Sequence, residues 1–193
     1  LVETVTESAW TGDIDLASVG LFLGNTYVAN GTWSGTITLT YDQVGGGSAF
    51  QNWATGGETF EGDANGDGVQ DGLAFLLGAP TPATDASGLL PTVSESGGEL
   101  VMTFNCLPVA AREGAVLKVE HSSTLGAAPD PWLATADVVP DADDPTADNG
   151  VTFVVTPGPT GPPALNSVTA TIDSGEAAGG KLFARLVGLE TAP

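Results

Sequence analysis

The chain has 193 residues, 24 of them acidic and 4 basic, for a formal charge of −20. So acidic a surface repels nucleic acid and anionic lipid, which excludes both as partners, while divalent cations relieve its self-repulsion. One cysteine excludes an internal disulfide, no apolar run is long enough for membrane insertion, and residues 1–20 lack the basic start and apolar middle of a signal peptide, so the chain reads as a mature form.

Residues 1–48 read as an N-terminal β region. Leu1–Glu7 is rich in β-branched residues without clean alternation, the pattern of an edge or detached strand, and residues 1–9 are a candidate for exchange between copies. Leu16–Leu23 and Thr26–Ala29 follow. Over Gly35–Tyr41, Ile37, Leu39 and Tyr41 alternate with Thr36, Thr38 and Thr40, which predicts a half-buried antiparallel strand. The glycines at 45–47 close this region, and Phe50 and Trp53 fall on a short turn or helix.

The most informative stretch is Glu58–Gly78, within a segment expected to span 49–80. Asp63, Asn65, Asp67 and Asp71 occupy positions 1, 3, 5 and 9 of an EF-hand-type loop, with the Val69 carbonyl at position 7 and Gly68 at the sharp turn. Oxygens at alternate residues converge only around a hard cation, and calcium, Ca2+, is the expected one. A solvated Asp/Asn/Gly turn explains the glycines but not the alternation. Position 12, usually a bidentate glutamate, is Ala74, so Glu61, Glu58 or water is expected to supply the missing oxygens, with a modest affinity suited to millimolar calcium. Leu73, Leu76 and Leu77 then recur at helical spacing before Gly78 and Pro80 stop a short helix.

Residues 81–193 read as a C-terminal antiparallel β-sandwich, so the fold class expected is all-β with one calcium loop and one short helix. After a Pro/Thr/Ala connector over Ala79–Pro91, five strand faces stand out. They are Leu100, Met102, Phe104 and Cys106; Leu117, Val119 and His121; Val151, Phe153 and Val155; Val168, Ala170 and Ile172; and Leu182, Ala184 and Leu186.

The run FQNWATGGETFEGDANGDGVQDGLAFLLGA, followed in order by GLLPTV, GGELVMTF, LKVEHSSTLG, PW, NGVTFVVTP and KLFARL, resembles the C-terminal module of large secreted and surface proteins of environmental bacteria. In that module a dockerin-like calcium loop precedes a small β-sandwich. The resemblance covers roughly Ala49–Glu190 and implies an exported calcium-binding β-domain. Dockerins carry two such loops in tandem, and the single loop here argues against cohesin docking.

Catalytic groups are sparse, and an enzyme is not expected. Cys106 and His121 each fall on the apolar face of a strand, and Ser122 and Ser123 beside His121 point to opposite faces, so no triad forms. Asp141, Asp143, Asp144 and Asp148, with Asn149, make a second acidic run that reads equally as a surface turn or another cation site. Trp10, Trp33, Trp53 and Trp132 suit a core or interface better than a sugar-stacking row. Asn30, Gly31 and Thr32 form a glycosylation acceptor triplet. The expected role is a structural, calcium-binding subunit of an extracellular or cell-surface assembly, a homo-oligomer or polymer joined by strand pairing. A carbohydrate-binding or adhesive module, with glycans as partners, is the alternative.

Overall fold

The computed structural model describes residues 2–3, 36–37, 48–132, 137–146, 149–159 and 164–191. The chain divides into two compact units, Leu1–Val44 and Gly45–Pro193. In the first, β1 (Val2–Glu3) pairs with β2 (Thr36–Ile37) in parallel, Val2 opposite Thr36 and Glu3 opposite Ile37. The alternation over 35–41 suggested an antiparallel neighbour, and at these two residues the pairing is parallel. Alternation reports which face is buried and carries no information on strand direction. The expected strands at 16–23 and 26–29 lie outside the described residues.

The second unit is an all-β sandwich with two short helices, α1 (Ala49–Trp53) and α2 (Asp71–Leu76). One sheet runs β3 (Thr92–Ser96), β4 (Glu99–Cys106), β8 (Asn166–Ile172) and β7 (Val151–Thr156). The other runs β6 (Asp137–Val138), β5 (Ala115–Ser122) and β9 (Phe183–Glu190). All these neighbours are antiparallel. The turn between β3 and β4 is Gly97–Gly98, at φ +66° and +91°, so both central residues need the left-handed region that glycine adopts without strain.

Period-two alternation placed the core correctly. Met102, Phe104, Cys106, Val151, Phe153, Val155, Val168, Ala170 and Ile172 from one sheet and Leu117, Val119 and Leu186 from the other are buried in a single cluster. His121 is also buried, while Leu182 and Ala184 are partly so. Strands β3 and β6 were not anticipated. All five residues of β3 are exposed, so no hydrophobic pattern marks it. In β5 the opposite face is covered too. Buried Glu120 accepts from Arg185 Nη2 at 2.6 Å and Nε at 2.8 Å, and the guanidinium lies 4.6 Å from the Trp132 ring centroid.

The helices belong to this same core. A capping box at Ser48 and Gln51 starts α1. Phe50 meets Phe60 and Phe75 edge-on at 4.9 and 5.9 Å, and Trp53 donates from Nε1 to the Ala79 carbonyl at 2.7 Å. Leu76 and Leu77 on α2 are fully buried, and the Leu76 carbonyl accepts from Leu107 N at 2.9 Å, joining the helix to the end of β4. The apolar side of α2 therefore faces the sandwich, and Gly78 ends it at φ +85°. Arg112, buried in the core, donates to the carbonyls of Leu107 and Val139 at 2.7 and 2.8 Å and to Cys106 Sγ at 3.3 Å.

Candidate metal centre

Between Phe60 and α2 the chain forms a tight loop whose carboxylates are gripped by its own amides. Asp63 Oδ1 accepts from Gly66 N at 2.9 Å and Asp67 N at 3.1 Å, and its Oδ2 accepts from Gly68 N at 2.9 Å. Asn65 Oδ1 accepts from Asp67 N at 3.0 Å, and Asp67 Oδ1 from Val69 N at 2.7 Å. Gly68 sits at φ +86°, as the sharp turn requires. Asp71 N donates to the Gly62 carbonyl at 2.7 Å and Ala64 N to Asp71 Oδ1 at 3.2 Å, which draws the two ends of the loop together.

A clasp from the following connector holds the loop from outside. Asn65 Nδ2 donates to the Thr84 carbonyl at 2.8 Å, and Ala86 N donates to Asp67 Oδ2 at 2.6 Å. The Ala86 amide, then the Val69 amide and the Asn65 side chain, hold the Asp67 carboxyl below its ordinary value of 3.8. The Ser87 hydroxyl and then its amide do the same for Asp85. Val69, Ala74, Ala79 and Ala86 are buried together behind this clasp. Ala74, at position 12 of the loop, is thus taken up by packing. A carboxylate there would be driven into an apolar cluster, which accounts for the departure from the usual ligand pattern.

The loop's residue types are those a hard cation takes. Each carboxylate oxygen offers two lone pairs, and the amide contacts leave spare ones on Asp63, Asn65 and Asp67. Asp71 is 2% exposed, and its Oδ2 is buried without a hydrogen-bond partner. Buried carboxylate oxygens are rarely left so, because the loss of hydration must be offset by a donor or a cation. Among the described residues, no group of three or more His, Cys, Asp or Glu side chains is gathered as for a metal. The carboxylates of Asp63, Asp67 and Asp71 are thus not drawn to one point, and they would have to turn inward to share an ion. Of the upstream glutamates, Glu58 Oε2 accepts from Gly56 N at 2.7 Å, and Glu61 is exposed with its carbonyl accepting from Gln70 Nε2 at 3.5 Å.

The second acidic run is dispersed among backbone partners. Asp141 Oδ1 accepts from Val109 N and Asn166 Nδ2 at 2.8 and 3.0 Å, Asp143 Oδ1 from Val155 N at 2.8 Å, and Asp144 Oδ1 from Thr146 N at 2.9 Å. Asp148 lies outside the described residues. Cys106 and His121 are buried as expected. Burial pushes the Cys106 thiol up in pKa despite the Arg112 guanidinium beside it, and His121 Nε2 is 2.7 Å from the Asn149 carbonyl. Sequence reasoning missed the clasp at 84–86 and the Arg112 anchor, since neither carries a periodic signal. No helix among the described residues is long and apolar enough to cross a membrane. Comparison of the chain with protein-family models, curated proteins and solved structures finds no match.

Proposed function

We propose that this chain is a calcium-binding structural subunit of an extracellular bacterial assembly, a filament or surface layer, in which copies join by strand pairing. The observation that carries the reading is the buried, unpartnered Asp71 Oδ2 at the end of a loop with the alternating oxygen pattern. Asp63, Asn65, Asp67 and Asp71, with the Val69 carbonyl, would hold the ion. Bound calcium would supply the positive charge that lets these oxygens share one point in a chain of formal charge −20.

The clasp links this site to an edge. Residues 84–86 bind the loop, the 3-10 turn Ser87–Leu89 follows, and β3 begins at Thr92. Among the described residues, strand β3 lies at the end of its sheet and pairs only with β4, which would offer one row of its backbone groups to a neighbouring strand. Val93 on it is 55% exposed. A sugar-stacking role has less support. Trp53 is tied to the Ala79 carbonyl and Trp132 is covered by Arg185, while the exposed large hydrophobic side chains among the described residues are all leucine or valine.

The test is sedimentation and electron microscopy of the purified chain with millimolar calcium or with chelator. Ordered polymers or discrete oligomers are expected in calcium, with dissociation on chelation and weaker association in Val93→Lys. A chain that stays monomeric at high concentration with calcium present refutes the proposal.

A further inference from the structure

We propose that Thr59 completes the calcium shell that Ala74 leaves open, its hydroxyl facing Asp71 Oδ2 across a space that Gly62 keeps clear. The inference rests on the reading of the 63–71 loop as a calcium site and adds to it a ligand outside the loop.

Three observations converge on this space. First, Asp71 Oδ2 is buried with no donor, whereas Oδ1 accepts from Ala64 N, so one oxygen of the pair is committed and the other is directed elsewhere. Second, a Cβ placed on Gly62 would lie 2.8 Å from Thr59 Oγ1, 3.1 Å from the Thr59 carbonyl oxygen and 3.1 Å from Asp71 Oδ2. Its nearest neighbours are thus all oxygens, from two residues twelve apart in sequence, and any side chain at 62 would fill the cradle they line. Third, the turn is fixed. Gly62 N donates to the Thr59 carbonyl at 2.9 Å, and the Gly62 carbonyl accepts from Asp71 N at 2.7 Å, so Thr59 and Asp71 are held on either side of Gly62 by the backbone.

Oxygens crowd a common space stably only with a proton or a cation among them. Asp71 Oδ2 has no hydrogen-bond partner, so the Thr59 hydroxyl does not serve as its donor. A hard cation takes six to eight oxygens at about 2.3–2.6 Å, so the Thr59 and Asp71 side chains would turn toward a common ion beside Gly62 to close the shell. Thr59 is exposed at the surface, which leaves an approach from solvent. Neutral hydroxyl and carbonyl oxygens in place of a position-12 carboxylate also suit a weak, extracellular-type site.

The experiment is calorimetric calcium titration of the full chain, with thermal melts in calcium and in chelator. The variants are Thr59→Val, which keeps the shape and removes the hydroxyl, Thr59→Ser, Gly62→Ala, and Asp63→Ala as a reference for the loop. Thr59→Val is expected to weaken calcium binding about tenfold while its melting point in chelator matches wild type, and Thr59→Ser to stay within about twofold of wild type. Gly62→Ala should weaken binding at least as much, and if it fails to fold, the Val and Ser pair decides. Wild-type calcium affinity in Thr59→Val, with Asp63→Ala impaired, overturns the role of Thr59 and leaves the loop reading intact, with water bridging the cradle. A wild-type chain that binds no calcium overturns both.

Discussion

Asp71 offers the sharpest perturbation because its two oxygens have different environments. Asp71→Asn keeps an acceptor for the Ala64 amide and removes the charge on the unpartnered side. Without calcium, a buried acceptor lacking a partner costs about 1–3 kcal/mol, so the variant should equal wild type or exceed it by about 1 kcal/mol. In calcium at about a hundred times the dissociation constant, wild type gains about 2.7 kcal/mol, and a variant short of one charged ligand forfeits most of that. The order of stabilities therefore reverses between the two conditions. For a chain of this size each kcal/mol moves the melting point by about 2–4 °C, so the crossing is measurable by thermal or urea denaturation with chelator and with excess calcium. Equal destabilisation of the variant in both conditions would mean that Asp71 is a structural cap and not a ligand.

Three further outcomes are expected. Arg112→Met removes the donors to the buried Leu107 and Val139 carbonyls and should cost about 3 kcal/mol or more by urea denaturation, whereas a loss under about 1 kcal/mol would show that the carbonyls find other donors. Cys106, fully buried and with its thiol pushed up, should resist a thiol reagent in the native state and react only on unfolding, so labelling of the folded chain within minutes contradicts its placement. The third concerns acid. Asp67, Asp85 and Asp130 are held below 3.8 in the fold, chiefly by the Ala86 amide, the Ser87 hydroxyl and the Ser123 amide respectively. Because the folded values are depressed, the stability these groups add is complete above the unfolded value and is lost as pH falls through the folded ones. The denaturation midpoint in chelator should therefore hold steady down to about pH 4.5 and drop below about pH 4, less steeply in Asp130→Asn; an unchanged slope in that variant removes Asp130 from the account.

The strands that could be read from sequence are those with one buried face. In β4, β7 and β8 every second residue meets the opposite sheet, so alternation survives in the sequence as hydrophobicity. β3 has no buried face and β6 has two residues, so neither leaves a pattern. β5 is buried on both sides near its end, and there Glu120 interrupts the hydrophobic run because its carboxylate is neutralised by Arg185, 65 positions away. The loop was legible as a list of oxygens at alternate residues. What those oxygens touch was not.

The order of residues alone determined the acidic balance, the alternating oxygens of 63–71, the helix stop at Gly78 and the inward faces of the long strands, because each depends on neighbours a few positions away. Only the tertiary structure decided that α1, the loop and α2 share the sandwich's core, that residues 84–86 clasp Asn65 and Asp67, and that Thr59, Gly62 and Asp71 surround one space. These are contacts between segments that local spacing does not relate, created when burial of Phe50, Phe60, Phe75, Leu76 and Leu77 against the sheets fixes where the intervening backbone must pass.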